Sequence, residues 1–253
     1  MNAQPRTAIP HAKLRIAGLF IALTLLVVAF RVPILQLSAV PLISTDNGHL
    51  QKADAILILG GGLDTRPFEA ARLYKAGMAP LLLLANEEPG PVAELGLGRS
   101  GCEITLDILT MIEQIPPENI VLIGTAGSAS LSEMGAFADG ASNPRAKLSS
   151  AEKIGYVTST FDEANALKKW CEAQRASSVI MVTNPFYSQR VRSIFHKVLE
   201  QRTTNGAPGT KVTIQLATID CRNYTPFDWW RSEAGLIAFN NEWIKTAYYW
   251  LKY

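Results

Sequence analysis

Three glycines followed by an arginine form the strongest chemical signal in the sequence. Gly60, Gly61 and Gly62 come directly after a short apolar run, and Arg66 stands four residues further on. Glycine backbone N–H groups can approach an anion closely, and an arginine can bind phosphate or carboxylate through two parallel hydrogen bonds. The motif matches neither the G-x-G-x-x-G fingerprint nor the P-loop. It predicts an anion-binding loop, with a tight turn and a surface arginine as the alternative.

Two further polar loops open helical patterns, and the second of them follows an apolar run. Thr160 and Glu163 stand at one helix start, and Thr183, Tyr187 and Arg190 surround another. In open α/β sheets ligands bind beyond the carboxyl ends of the strands, and helix N-termini favour anions. We therefore predict that these five residues share a cleft with the glycine loop, where Glu163 is the general-base candidate. A capped helix and a loop with a solvated arginine are the alternatives.

Metal, cofactor and nucleophile chemistry have little support in the sequence. The histidines are not spaced for zinc, and the cysteines contain no C-x-x-C motif. A G-x-S-x-G motif for a Ser-His-Asp hydrolase is also missing. We expect no metal site, and the sequence indicates no particular cofactor. It leaves open whether Cys102, Cys171 and Cys221 form disulfides.

Composition excludes several classes of protein. The chain of 253 residues carries 24 Lys and Arg against 22 Asp and Glu, a net charge of +2. This balance argues against a nucleic-acid binder, which needs a concentrated basic face. A 48% apolar content excludes wholesale disorder, and three cysteines are too few for a disulfide-built scaffold.

The N-terminus predicts a membrane anchor. Residues 1–15 form a basic tail without acidic side chains, and residues 16–37 are almost entirely apolar. With Arg31 reaching the outer interface, the apolar run attains the length of about 20 residues that a span requires. The positive-inside rule then places the tail in the cytoplasm and the rest outside the inner (plasma) membrane. A cleaved signal peptide and a buried core helix are the alternatives.

The remaining chain predicts an α/β fold. Residues 38–52 resemble a short tether, and residues 53–253 alternate strand and helix patterns around a probable insertion or mobile loop at 125–150. Thr160 is the predicted N-cap of its helix. Parallel neighbours require crossover connections, so the pattern predicts a parallel sheet with helices on both faces. Strands are predicted at 55–59, 80–85, 119–124, 178–183 and 212–218, and helices at 67–76, 103–114, 161–174, 187–199 and 232–253.

The order and spacing of these motifs resemble the YdcF-like domain family of SanA/ElyC-type envelope proteins. The resemblance covers roughly residues 53–253, apart from the insertion. It rests on residues 53–62 with Arg66, on 70–77, on 160–164, on 182–190 with Phe195, and on Trp229, Trp230, Glu242, Tyr248 and Tyr249. The resemblance implies a Rossmann-like α/β domain held at the membrane by one N-terminal helix. It also implies a role in cell-envelope biogenesis, such as peptidoglycan assembly or lipid-carrier metabolism.

Two departures from the family pattern bear on activity. Ala85-Asn86-Glu87 stands where relatives usually have Ser-Gly-Gly, and Tyr187 stands where they usually have His. A tyrosine is a poor base at neutral pH because its reference pKa is much higher than that of histidine.

From the resemblance and the loops together, we expect the protein to bind an anionic or phosphorylated ligand, such as a lipid-linked sugar precursor. Whether the protein is an enzyme stays open. The alternatives are a non-catalytic scaffold, which the departures favour, and a nucleotide or S-adenosylmethionine binder. In the last case Glu87 or Glu88 would bind the ribose.

Overall fold

Five apolar runs form the parallel part of a six-stranded sheet. The computed structural model describes residues 11–131, 153–200 and 211–252. The sheet has the order β4-β3-β2-β1-β5-β6, and only β4 is antiparallel to its neighbour. The strands are β1 (Ala55–Ile58), β2 (Leu82–Ala85), β3 (Ile120–Ile123), β4 (Ser128–Ser130), β5 (Ser178–Thr183) and β6 (Thr213–Thr218).

Both faces of the sheet are covered by helices, which explains why the strands are apolar without alternation. All residues of β1 and β2 are buried. Because successive side chains point to opposite faces, Leu57 packs in one core cluster and Ile56 in the other. Helices α2 (Arg66–Lys75) and α4 (Gly101–Asp107) cover the Ile56 face, and α5 (Thr160–Gln174) and α6 (Pro185–Leu199) cover the Leu57 face. The predicted α/β fold is confirmed, with an antiparallel edge strand added.

The remaining elements are short or terminal. Helix α3 is a single turn, and α4 continues into a π-helical turn, so the helix predicted at 103–114 spans 101–112 instead. A capping box between Ser100 and Glu103 explains the earlier start. The other bounds are α1 (His11–Ala39), α3 (Pro91–Glu94), α7 (Glu233–Lys252), the π-helical turn (Ile108–Ile112) and the 3-10 helices Val40–Leu42, Pro117–Asn119 and Trp229–Arg231.

Two local predictions need correction. Ser159, rather than Thr160, is the N-cap of α5, because its hydroxyl accepts a hydrogen bond from the Asp162 N–H at 3.2 Å. The region 125–150, predicted as an insertion or mobile loop, contributes strand β4 at the edge of the sheet. Residues 132–152 lie outside the described residues.

Helix α1 and the 3-10 helix that follows it contain a segment, Gly18–Leu42, that is long and apolar enough to cross a membrane. This segment has 25 residues and a mean hydropathy of 2.4, and none of its most apolar window is buried. The predicted apolar helix at 16–37 is therefore confirmed as a helix. The alternative of a buried core helix is wrong, because the protein covers none of that window.

The segment predicted as a tether, residues 38–52, packs against the domain. Leu42 is buried, and the Ser44 N–H donates to the Ser188 hydroxyl of α6 at 2.8 Å. Asp46 and Gln51 exchange hydrogen bonds with residues of β6. The segment thus fixes the end of α1 to the sheet instead of acting as a free linker.

Candidate functional site

A cavity of about 810 Å³ opens beyond the carboxyl ends of β1, β2 and β5. The chain continues from β1 to β2 on one side, whereas β5 pairs with β1 on the other. Such a reversal of strand order is where open α/β sheets bind ligands. The cavity is lined by every residue that the sequence nominated: Gly60, Gly61, Gly62, Arg66, Thr160, Glu163, Thr183, Tyr187 and Arg190.

Two carboxylates of the protein itself occupy backbone N–H groups of the glycine loop. The Gly60 N–H donates to Glu163 Oε1 at 2.9 Å, and the Gly61 N–H donates to the Glu87 carboxylate. A Cβ at Gly60 would overlap the end of the Glu87 side chain, so a larger residue there would displace this carboxylate from the loop. Gly61 and Gly62 have φ of 80° and 60°, which glycine adopts without strain. The N–H groups that we expected to bind an external anion therefore already hold internal ones.

Burial makes Glu163 a proton-exchanging group near neutral pH. It raises the pKa of the Glu163 carboxyl to about 7, although the Gly60 N–H and the Arg66 charge act in the opposite direction. Burial also raises the pKa of Glu87, while Arg66 and the Gly61 N–H lower it. Each carboxylate disfavours ionisation of the other when both lie at this loop. Glu163 therefore has the proton affinity that a general acid or base requires.

Arg66 connects the loops after β1 and β5. Its Nε donates to Asn184 Oδ1 at 2.8 Å, and its Nη1 donates to the carbonyl oxygens of Leu59 and Gly60. The guanidinium carbon lies 5.3 Å from the centroid of the Tyr187 ring. Arg66 is buried, and burial lowers its pKa, but a guanidinium remains charged. Arg66 thus lines the cavity and also holds its wall together.

Arg190 connects three helices. Its Nε and Nη2 donate to the two carboxylate oxygens of Glu242 in α7 at 2.6 and 3.1 Å, and its Nη1 donates to Thr160 Oγ1 at 2.7 Å. The Glu242 side chain is fully buried. The alternative of a solvated arginine in this loop is therefore wrong, because Arg190 is buried and neutralises a buried carboxylate.

One polar atom of the cavity wall has no partner within the described residues. Thr183 is 1% exposed, and its hydroxyl makes no hydrogen bond there. A buried hydroxyl without a partner is costly, which makes this atom a contact point for a ligand or water. Helices α2, α5 and α6 all begin at residues that line or adjoin the cavity, so their positive ends point toward it.

Several residues of the site were missed by sequence reasoning. Lys245, Tyr248 and Tyr249 of α7 line the cavity, as does Cys221. Their positions depend on where α7 packs, which no local pattern reveals. Glu242 was a usable signal, because it is the one acidic residue in the largely aromatic and apolar stretch 234–251. A buried acid needs a basic or hydrogen-bonding partner, which would have pointed to a contact between this helix and the site.

The departures from the family pattern have structural roles here. Asn86 is buried, and its side chain donates to the Gly155 carbonyl at 3.1 Å. Glu87 and Glu88 both line the cavity. Tyr187 lies under the Arg66 guanidinium. In residues 11–131, 153–200 and 211–252, no group of three or more His, Cys, Asp or Glu side chains is arranged to hold a metal ion.

Comparison of the chain with models of protein families, with curated proteins and with solved structures finds no match. The interpretation of the site therefore depends on its own geometry and electrostatics.

Proposed function

We propose that this chain is a membrane-anchored extracytoplasmic protein of cell-envelope biogenesis, whose cavity binds an anionic or phosphorylated ligand such as a lipid-linked sugar precursor. The observation that carries the binding proposal is a cavity at three helix starts, lined by Thr183, whose buried hydroxyl has no hydrogen-bond partner among the described residues. A phosphate or carboxylate there would accept a hydrogen bond from this hydroxyl and would gain from the helix dipoles.

The charges around the cavity make binding depend on pH. The basic residues Arg66, Arg190 and Lys245 stand against the acidic residues Glu87 and Glu163 and the neighbouring Glu88. Since Arg190 is already neutralised by Glu242, an anion meets a surplus of negative charge when Glu163 is ionised. Protonation of Glu163 would remove one negative charge, and the protonated carboxyl could donate a hydrogen bond to the ligand. We therefore expect tighter binding as the pH falls through about 7.

The anchor and topology form the second component of the proposal. Helix α1 has the length of a membrane span, and the basic residues of the N-terminal tail favour a cytoplasmic N-terminus. The domain that follows would then lie outside the inner membrane. Ala39 at the end of α1 and the following Leu42 pack against Trp229 and Phe186 of the domain. The cavity would therefore be held near the outer surface of the inner membrane.

The fold supports, as a further component, a Rossmann-like domain of the YdcF-like family. Without β4, the parallel strands follow the order third, second, first, fourth, fifth. This is the order at the start of the doubly wound dinucleotide-binding fold. We propose family membership from the motifs at 53–66, 160–164 and 182–190, all of which contribute residues to one cavity.

Acid–base catalysis on the bound ligand is the second candidate function. It is favoured by the burial of the Glu163 carboxyl in the cavity wall, which raises its pKa to about 7. At neutral pH the protonated and ionised forms of such a carboxyl are both populated, which suits proton transfer to or from a ligand. Glu163→Gln would then abolish turnover while it preserves binding, whereas a pure binding protein would show no turnover in either form.

The experiment that tests the binding proposal measures affinity with the full-length protein in detergent micelles. The probes are a short-chain polyprenyl phosphate and inorganic phosphate, so that a lipid headgroup and a free phosphate are compared. Arg66→Ala should weaken binding by about 1.5–3 kcal/mol, the range for hydrogen bonds to charged groups. Arg66→Lys should weaken binding as well, because an ammonium group cannot reproduce the planar guanidinium that also holds Asn184.

Arg72→Ala is the matched control, because Arg72 lies on the same helix with 64% of its side chain exposed. It should bind both probes as the unaltered protein does. Melting temperatures are measured in parallel, since Arg66 is buried. Arg66 variants that stay folded and bind both probes with unchanged affinity would refute the anion site and favour the scaffold alternative.

A further inference from the structure

Helix α7 turns an apolar face away from the protein. Six of its large apolar side chains are between 40% and 82% exposed: Leu236, Ile237, Trp243, Ile244, Trp250 and Leu251. At 3.6 residues per turn, these positions lie on one side of the helix, together with Asn240 and Ala247. Glu233, in the first turn, also falls on this side, but from Leu236 onward the side carries no charged residue. A helix face exposed to water is normally polar, so this face requires another covering.

The opposite side of α7 is already committed to the protein core. Ala238 and Glu242 are buried, and Glu242 holds Arg190. A Cβ at Gly235 would overlap the Trp229 carbonyl oxygen, so the first turn of α7 fits closely against the preceding 3-10 helix. The helix therefore cannot rotate to bury its apolar face without breaking these contacts.

The start of α7 lies at the end of the candidate membrane span. Leu35, Ala39 and Leu42 of the span's last turns form one cluster with Trp229 and Ala238. The Trp229 Nε1 donates to the Leu35 carbonyl at 3.1 Å. The neighbouring Gln36 side chain donates to the carbonyl of Phe227, a residue that is itself 66% exposed. The apolar face of α7 thus begins beside the last turns of the candidate span.

We infer that α7 is an interfacial helix whose apolar face is covered by the outer leaflet of the bilayer that α1 spans. The inference rests on the proposed membrane anchoring by α1. Trp243, Tyr248 and Trp250 are residue types that concentrate at membrane–water interfaces. An apolar face that carries no charge after its first turn and is flanked by lysines is typical of helices that lie in this plane. A second copy of the chain could cover such a face, but only the bilayer is continuous with both α1 and Phe227.

This placement gives the cavity a lipid-facing border. Lys245, Tyr248 and Tyr249 line the cavity from the same helix that carries the apolar face. A ligand with an acyl or polyprenyl chain could keep its chain in the leaflet while its anionic headgroup enters the cavity. The ligand class that fits this arrangement is an amphiphile, rather than a freely diffusing polar metabolite.

The test uses full-length protein in vesicles of phosphatidylethanolamine and phosphatidylglycerol, with an environment-sensitive fluorophore on single introduced cysteines. Ile244→Cys and Leu251→Cys report on α7, and Val27→Cys reports on the span. Glu172→Cys is the aqueous control, because it is exposed near the end of α5 remote from the cavity. Cys221→Ser is included throughout, since Cys102 and Cys171 are buried.

Lipids brominated on their acyl chains should quench the labels at 244 and 251 to a degree comparable with position 27, and should leave position 172 unaffected. Quenching at 27 with none at 244 and 251 would overturn the interfacial helix while α1 remains a span. Quenching at none of these positions would overturn both proposals. Disulfide cross-linking between Ile244→Cys chains without quenching would assign the face to a second copy.

Discussion

Two buried arginines illustrate how the residues of the cavity act on each other before they act on a ligand. Arg66 joins the loop after β1 to Asn184, a residue 118 positions away in the chain. Arg190 joins α6 to Glu242 in α7 and to Thr160 at the start of α5. Their removal would therefore affect stability as well as binding, and the two effects must be measured separately.

Arg190→Ala should destabilise the domain by about 3–5 kcal/mol, because it leaves the Glu242 carboxylate buried and unpaired. The double variant Arg190→Met with Glu242→Leu should be less destabilised than the single variant, since it removes both charges. Arg192→Ala is the control, because its ion pair with Asp46 is partly exposed and is worth at most about 1 kcal/mol. Urea unfolding of the domain in micelles gives these differences, and equal costs for the two alanine variants would contradict the prediction.

Glu163 should make the stability of the protein depend on pH. Its folded pKa of about 7 exceeds the usual carboxyl value, so the folded state favours the protonated form. The contribution of Glu163 to stability is then fully present below about pH 4.3 and is lost as the pH rises through about 7, a change on the order of 3 kcal/mol. Glu163→Gln should remove this fall, because the amide can accept the Gly60 hydrogen bond without a charge.

Unfolding free energies between about pH 4.5 and about pH 8, a range from near the usual glutamate pKa to above the folded value of about 7, test this prediction. Glu200→Gln is the control, because its side chain is 79% exposed on the surface at the end of α6. It should follow the pH profile of the unaltered protein. Parallel profiles for the unaltered protein and Glu163→Gln would show that Glu163 does not titrate in this range.

At the scale of elements, the segment between α1 and β1 behaves as part of the sheet. The Asp46 N–H donates to the Leu216 carbonyl at 2.9 Å, and the Asp46 carboxylate accepts from the Leu216 N–H at 2.8 Å and from Arg192 at 2.7 Å. The segment has no apolar periodicity, so its sequence resembles a linker. The segment is instead held in place by single polar residues such as Asp46, whose hydrogen-bond partners lie far away in the sequence.

Asp46→Ala should loosen this segment without unfolding the domain. The Leu216 N–H and the Arg192 guanidinium lose a charged acceptor, which should lower the local opening free energy at residues 43–52 by about 1.5–3 kcal/mol. Hydrogen exchange measured by mass spectrometry on the full-length protein detects the change. Asp64→Ala is the control, because its exposed contact with Arg222 spans 3.9 Å. Unchanged exchange at 43–52 would show that Asp46 does not hold the segment.

At the scale of the whole molecule, α1 and α7 place the domain relative to the proposed bilayer. The last turns of α1 pack on the 3-10 helix before α7 and on Phe186 at the start of α6. Phe239 stacks on Trp229 with ring centroids 3.7 Å apart, which extends this contact into α7. The cavity, lined by α5, α6 and α7, would thereby keep a constant position with respect to the membrane surface.

An alkaline phosphatase fusion after Lys52 should be active outside the cytoplasm, because three basic residues precede the span. A fusion after Arg15, which lacks the span, should be inactive and serves as the control. The mature protein should retain its N-terminus, as mass spectrometry of the purified chain would show. An inactive Lys52 fusion would contradict the topology, whereas a cleaved N-terminus would contradict only the anchor.

The amino-acid sequence by itself determined the alternation of strands and helices and the loops that form the cavity. Short apolar runs such as 55–59 and 178–183 indicate burial on both faces of the sheet. Glycines follow the first of these runs, and a helix start follows the second. These signals are local, and the rule that parallel strands place their carboxyl ends at one edge brought the predicted residues together.

Only the tertiary structure decided which charges meet. Glu163 reaches the Gly60 N–H across 103 positions, and Glu242 reaches Arg190 across 52, so neither pairing follows from local spacing. The pKa of Glu163 depends on desolvation, which exists only in the folded state. The orientation of α7 was likewise decided by packing, because the contacts of its buried side leave the other, apolar side exposed.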